Sequence, residues 1–380
     1  MKHVFFLSFL LIFFSCEEKK QFEKTELSYE VIEEIQLKLD SITSPLTIRT
    51  QLIESDSGTF LYTMHSQQMS MNIYNLQTKK NIKKIKFSHD GINRIGLLQG
   101  FDVYNKDTLL VATYPPHLVI FDHAGNKINE LIVSGEDQYI QTIESTNALP
   151  FFIFKNKIYG AYPFITRYWE TPIKEVSNFR HVYEIDFKNM SIQWKNLSLP
   201  SRFWDKGKIS PEFSWTSKGD SIITVFKENA QIQVFSINQN QLLNILDLKT
   251  PEKIDFIKFQ QRPTGNEGAI KQLGKGAFRS IHYDKYRRVY YVFYDLPVDP
   301  EQFTIPISKL HSTRPDHKIF LLDENFEYIG EHTFKEFSSD PYDAFVGKKG
   351  LYLPTNREYS DSFDEDYLKF KVIQFKKPKE

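Results

Sequence analysis

Three sets of residues have the types and placement to do chemistry. Cys16 is the only cysteine and directly follows Ser15 and an apolar run, Val4 to Phe14, interrupted by Ser8 alone. That run is shorter than the roughly 20 residues a membrane-crossing helix needs. With Lys2 ahead of it and a small residue behind, it fits a cleaved export signal. An unpaired thiol at that junction is an acceptor for lipid, so the mature chain is expected to begin at Cys16 and to be held to a membrane there. Phe13 occupies the position where such sites usually carry Leu.

The second set is Arg beside Trp: Arg167 and Trp169 in RYWE, Arg202 and Trp204 in RFWD. Guanidinium forks and indole faces hold planar anions and sugars. The same residues can instead pin loops to a scaffold and plug its core, and the sequence leaves both readings open. The third set is Glu212, Asn147 and Asp343. Two carboxylates and an amide, if they converge, are a ligand set for a divalent ion in a hydrolase or lactonase. No short motif backs a metal or a cofactor. The ten histidines contain no HxH or HxxxH pair, and His311 and His317 stand six apart in a Pro-containing loop. GNEGAIKQLGKG at 265–276 lacks the GK[ST] ending of a phosphate loop, and no G-x-S-x-G elbow occurs. No catalytic residue, metal or cofactor is therefore assigned from the sequence.

These residues need a scaffold, and composition bounds it. The chain has 48 basic and 48 acidic side chains, and loss of residues 1–15 removes only Lys2. No net field draws it to nucleic acid. At 41% hydrophobic and 25% charged it is globular. With one cysteine it has no internal disulfide, so burial and backbone pairing must stabilise it. Thirty-three Phe and 20 Tyr favour strands.

From residue 50 onward a four-strand sentence repeats. Its clearest copy runs from Gly100 to Val133: Phe101 to Tyr104, a turn at Asn105-Lys106-Asp107, Thr108 to Thr113, His117 to Asp122, a turn at Ala124-Gly125-Asn126, then Ile128 to Val133. Asp122, Asp186 and Asp323 each stand six residues before an isoleucine. A turn Asp that bonds its own backbone sets the register of the next strand. The first-hairpin turns fall at Asp56-Ser57-Gly58, Asn105-Lys106-Asp107, Lys155-Asn156-Lys157, Lys218-Gly219-Asp220, Asp284-Lys285-Tyr286 and Gly347-Lys348-Lys349-Gly350, about 50 to 65 residues apart.

Four short alternating strands at this period predict an all-β chain folded as a β-propeller of six blades, with a seventh in 250–277 as the alternative. Glu26 to Asp40 is expected to close the ring by completing a blade built from Leu351 to Pro354 and Tyr367 to Phe375. The organisation is thus a signal peptide at 1–15, a charged tether at 16–25 and one propeller at 26–380.

The signal, Glu17-Glu18-Lys19-Lys20 and the LVIFDHAGNKINELIV blade segment together resemble uncharacterised propeller lipoproteins of Bacteroidota, a family of unknown function. The resemblance covers nearly the whole chain. It implies an outer-membrane lipoprotein, with the charged stretch after Cys16 acting as a surface-export signal. No activity comes with it.

In such a ring the central funnel would be lined from the strand entries at Gln99, Asn147, Glu212, Arg279 and Asp343. Long connections gather on one face, at 164–180, 201–211, 250–277, 295–316 and 355–366. Eight of the 11 arginines lie in or beside these connections or other crossovers: Arg94, Arg167, Arg180, Arg202, Arg262, Arg279, Arg314 and Arg357. Recognition concentrates in long loops on rigid scaffolds. The expected function is a lipid-anchored binding module, with Arg167, Trp169, Arg202, Trp204 and Arg279 as ligand contacts. Its partner would be a glycan, a peptide or an envelope protein. The alternative is an extracellular metal-dependent hydrolase at the funnel.

Overall fold

The computed structural model describes residues 23–135 and 138–376. The expected export signal at 1–15, Cys16 and residues 17–22 lie outside them.

The chain opens on β1 (Tyr29–Lys38), then builds blade one from β2 (Arg49–Ser55), β3 (Gly58–His65), β4 (Ser70–Asn75) and β5 (Lys80–Lys86). Blade two is β6 (Leu97–Asn105), β7 (Thr108–Tyr114), β8 (His117–Phe121) and β9 (Lys127–Ile132); blade three is β10 (Phe152–Phe154), β11 (Lys157–Ala161), β12 (Val182–Asp186) and β13 (Ser191–Trp194). Blade four comprises β14 (Phe213–Lys218), β15 (Ser221–Phe226), β16 (Asn229–Ser236) and β17 (Gln241–Asp247). Blade five comprises β18 (Ala277–Asp284), β19 (Val289–Asp295), β20 (His317–Asp323) and β21 (Tyr328–Phe334). Blade six takes β22 (Phe345–Gly347), β23 (Gly350–Pro354) and β24 (Tyr367–Phe375) from the C-terminal end, and β1 supplies its outermost strand.

All six sheets are four-stranded and antiparallel. The six tight turns expected from the sequence join the first and second strands of the six blades. The closing strand also falls where expected: Tyr29 pairs with Phe375 and Lys38 with Tyr367. The stretch 250–277 forms no seventh sheet. It is an extended crossover ending in α1 (Glu267–Leu273), which packs on α2 (Ile307–Ser312) of the β19–β20 connection. The docked chain also starts earlier than the expected tether end, because Thr25 O accepts from Glu331 N at 2.9 Å and Lys24 reaches the buried Glu331 at 3.5 Å.

Alternation along the strands gives each sheet two apolar faces, and the core accordingly has a cluster at each of the six blade junctions, with a seventh, smaller one of Leu273, Val298 and Leu310 at the two helices. Met64, Ile73, Phe101 and Val119 join blades one and two; Leu110, Ile120, Ile158 and Tyr183 join two and three; Tyr159, Val182, Trp215 and Phe235 join three and four. Ile223, Ile232, Tyr290 and Phe320 continue to blade five, Tyr291, Ile319, Leu351 and Ile373 to blade six, and Leu37, Leu61, Tyr74 and Val372 return to blade one. Fully burying one such side chain contributes about 1.5–3 kcal/mol, so no junction is dispensable. The exposed outer strands are charged, as Lys80, Lys83 and Lys86 on β5 illustrate, which discourages edge pairing with other chains.

The turn aspartates act as the register demanded. Asp122 Oδ1 accepts from Asn126 N at 2.8 Å, Asp186 Oδ1 from Lys188 N at 2.9 Å and Asp323 Oδ1 from Asn325 N at 2.8 Å.

Candidate binding funnel

The inner strands are laced together around the axis by side chains bonding backbone. Ser214 Oγ donates to Ala148 O at 2.8 Å and accepts from Ile281 N at 3.1 Å, while Ser280 Oγ donates to Pro341 O at 3.0 Å. Asn147 closes the circle. Its Oδ1 accepts from Thr50 N at 2.9 Å, and its Nδ2 donates to Thr50 O at 2.9 Å and Ala344 O at 3.3 Å. Four different blades and the loop before blade three are held by these few bonds, and the ring they make is rigid.

A cavity of about 570 Å³ opens inside that ring on the long-loop face. Glu144 lines it from the loop before blade three, Glu212 and Lys227 from blade four, Arg279 and His311 from blade five, and Asp340, Tyr342 and Asp343 from the entry to blade six. Phe164, Phe213, Phe278 and Phe370 supply apolar wall. Gln99 is not among the lining residues. The segment around Ser145 lies over the entry of β6 instead, pairing with Gly100: Phe101 N donates to Ser145 O at 3.2 Å and Ser145 N to Gln99 O at 3.1 Å. Gly100 has φ +121°, and a Cβ there would come within 1.8 Å of the Ser145 carbonyl oxygen. Glycine is what lets this loop dock and bring Glu144 to the cavity.

The electrostatics of the cavity are uneven. Burial, and then the charge of Glu212, pushes Glu144 up to about 7. Burial and the neighbouring Asp340 push Asp343 up to about 7 as well, and only the Thr47 hydroxyl, donating to Asp343 Oδ2 at 2.7 Å, works against them. Burial alone would also raise Glu212. The charge and the 2.6 Å hydrogen bond of Lys227, with Arg279 behind, outweigh it and hold this carboxyl below its usual range. His311 is pulled down to about 4 by burial and by Lys227 and Arg279, so it is neutral at pH 7.

Arg279 lines the funnel but its head is committed. Nε bonds buried Asp295, Nη2 donates to His311 O at 2.9 Å, and the guanidinium lies 4.8 Å over the Tyr342 ring. Arg314 and Arg357 are loop pins: Arg314 Nη1 donates to Leu296 O at 2.9 Å and Nη2 to Gln272 O at 3.0 Å, and Arg357 Nη1 donates to Arg314 O at 3.0 Å.

The Arg and Trp motifs stand apart from the cavity. Trp204 is fully buried in the core between blades three and four, with Nε1 donating to Ile209 O at 3.0 Å, so the expectation that it meets a ligand is corrected. Trp169 is half-buried edge-on against Phe259 of the 250–277 crossover. Lys208 ties these loops together, its ammonium donating to the carbonyls of Tyr168, Trp169 and Thr171 at 2.6–2.7 Å. Arg167 and Arg202 are exposed, paired with Glu170 and Asp205 three residues on.

The candidate ligand set for a metal does not form. Asn147 spends its amide on backbone, Glu212 is held by Lys227, and no group of three or more His, Cys, Asp or Glu among the described residues is disposed to hold an ion. Sequence reasoning found Glu212, Arg279 and Asp343 and missed Glu144, Lys227, Asp340 and Tyr342. The last two sit in the same SSDPYD entry as Asp343, and proximity to that residue was their available signal; Glu144 had none of its own.

A family model described as a domain of unknown function, DUF4221, matches residues 24–333, and the chain belongs to that family. A comparison with curated proteins finds no match. Among solved structures the chain is similar to a DUF4221 member from Bacteroides vulgatus at TM-score 0.79 and 19% identity, over 93% of this chain and 100% of that one. It is also similar to a Bacteroides fragilis protein described as exported, at TM-score 0.55 and 11% identity over 93% and 95% of the two chains. The WD40 repeats of RRP9 match at TM-score 0.51 and 8% identity, over 92% and 100%. At these identities the likenesses establish the propeller fold. No helix among the described residues is long and apolar enough to cross a membrane.

Proposed function

We propose that this chain is a binding module of the cell envelope, anchored by lipid at Cys16, that takes its ligand in the central funnel of the long-loop face. The carrying observation is the funnel itself: about 570 Å³ of space with aromatic walls and titratable groups presented from several blades of a laced ring. Pockets for small ligands commonly have this size and this mixture of apolar wall and few polar groups. A small molecule fits it, as does the protruding end of a glycan or peptide. The apolar run before Cys16 and the charged Glu17-Glu18-Lys19-Lys20 after it support export to the outer membrane and display at the surface.

A thermal-shift screen of envelope metabolites, glycans and short peptides tests the site, with Tyr342→Ala as the funnel control. Hits should lose their shift in that variant, and hits that keep it would place recognition elsewhere. Metabolic labelling with a palmitate analogue tests the anchor. Cys16→Ala should carry no label and leave the membrane fraction, and equal labelling of both proteins would overturn lipidation.

A further inference from the structure

The charges of the funnel are matched on one side only. Lys227 is taken by Glu212 at 2.6 Å, Arg279 by Asp295, and Lys369 by Asp364 at 3.4 Å. His311 is neutral and faces Gln272 Oε1 at 3.2 Å. Against these, Glu144, Asp340 and Asp343 have no basic side chain within ion-pair reach among the described residues. Asp343 has the Thr47 hydroxyl and Asp340 the backbone N–H of Tyr342, while Glu144 has no hydrogen-bond partner there at all. These carboxylates are half-buried at the cavity wall; one partly drawn from water without a cation is disfavoured, and its natural complement is a positive charge brought from outside.

Two further observations fix the kind of cation. The carboxylates do not gather around a point, since no metal-holding group forms among the described residues, and the wall between them is aromatic, from Phe213, Phe278 and Tyr342. Such rings hold ammonium groups that carry apolar bodies and desolvate with them. Independently, a second hollow of about 440 Å³ adjoins the funnel mouth, sharing Pro45 and Leu46 with it. Glu358, Glu365 and Asp366 line that hollow together with Asp40, which Lys84 pairs at 2.7 Å from behind the lining. An acidic approach of this kind raises the local concentration of cations.

We propose that the funnel receives a small organic cation, an amine on an apolar body, with Glu144 and Asp343 as its counter-ions. This rests on the reading of the funnel as the ligand site. It carries a linkage consequence. Near neutral pH both carboxyls are partly protonated, so an arriving ammonium displaces protons and affinity rises as pH rises from about 5.5 to 8. The other charged groups facing them are Glu212 and Lys227 of blade four, Arg279 of blade five, and Asp340 and Lys369 of blade six. Each of the three bases is paired with an acid in the structure.

Isothermal titration of the full chain with phenethylamine, cadaverine and spermidine tests the proposal. Its controls are 2-phenylethanol as neutral isostere and 3-phenylpropionate as anion. At least one amine should bind, phenethylamine about tenfold or more tighter than the alcohol, with buffer-dependent heat reporting proton release. Glu144→Gln and Asp343→Asn should each weaken the amine and flatten its pH dependence. Wild-type affinity at pH 5.5 and 8 is decisive even if a variant folds poorly. No amine binding, equal binding of amine and alcohol, or no change with pH would each overturn the cation. If the alcohol or the anion binds and Tyr342→Ala abolishes it, the funnel stands and only the charge assignment falls. If binding ignores Tyr342→Ala, the funnel reading falls with it.

Discussion

Glu144 and Ser145 are consecutive in the chain and meet opposite surroundings. Ser145 is buried in the joint between blades one and two, where its hydroxyl donates to Asp102 Oδ2 at 2.5 Å. Asp102 also accepts from Arg49 Nη2 at 2.6 Å, Gln51 Nε2 at 3.2 Å and Phe151 N at 2.8 Å. Four donors and one counter-charge satisfy this carboxylate. One residue earlier, Glu144 has none of these. The same ring that gives a carboxylate a counter-charge and four donors where its blades join, though burial still raises Asp102 above its usual range and leaves Arg49 Nε without a partner, leaves Glu144 with neither at its centre. Stability concentrates in the joint, and the unmatched groups of the centre are where a ligand has something to offer.

The largest expected effect comes from opening the ring. Removing 26–40 takes β1 from blade six, leaves one edge of β24 unpaired and uncovers the cluster holding Ile35, Leu37 and Leu39. Three buried apolar side chains at about 1.5–3 kcal/mol each approach the whole stability of a domain, about 5–15 kcal/mol. Thermal melts and limited proteolysis should find little cooperative folded protein. A truncation that melts like the full chain would mean that joint and funnel do not depend on closure.

Next is the joint. Asp102→Ala strands Arg49 in the interior and should cost about 3–5 kcal/mol, read as a shifted denaturant midpoint. Trp204→Ala should cost a similar amount, about 3–5 kcal/mol, by leaving a cavity. A Trp204 variant of wild-type stability would return that residue to the ligand candidates.

The funnel carboxyls should behave in the opposite sense. Folding raises Glu144 from 4.5 and Asp343 from 3.8, each to about 7. Between the unfolded and folded values the native state binds more protons at these two groups, so their own contribution to stability is full below about pH 4 and is lost as pH climbs through 7. Glu144→Gln and Asp343→Asn remove that penalty. Each should stabilise the protein at pH 8 by at most about 3–4 kcal/mol, at 1.36 kcal/mol per unit, and do little at pH 4. Melts at the two pH values check the sign. Destabilisation at pH 8 would mean that these carboxylates are satisfied as Asp102 is.

The joint and the funnel also differ in how far the sequence revealed them. Blade number, all six first-hairpin turns and the closing strand were legible because each is written locally, in alternation, in turn residues and in an Asp that bonds its own backbone. The crossover at 250–277 is no blade, and its short α1 carries too few turns to announce itself by periodicity. Glu144 was invisible for another reason. Its role depends on Gly100, 44 residues away, admitting the Ser145 carbonyl, and nothing near Glu144 in sequence says so. Trp204 was misread because RFWD looks like a surface motif until Ile209 O takes its indole N–H. Asn147, like Gln99, is not among the lining residues: its amide serves the lacing of the ring, while its neighbours Thr146 and Ala148 reach the cavity.

The smallest expected effect sharpens the comparison from outside. Arg167 and Arg202 are exposed, and each pairs only with a carboxylate three residues on in its own loop. Such pairs gain little in water, where screening and the cost of ordering two long side chains offset the attraction. Neither guanidinium touches the cavity or a joint. Arg167→Ala and Arg202→Ala should therefore leave the melting temperature and any funnel binding unchanged within error. Should either variant instead weaken a ligand that Tyr342→Ala leaves alone, the rim of blades three and four is a second recognition surface with its own partner. Unchanged behaviour in both assays confines recognition to the centre, where the unpaired carboxylates are.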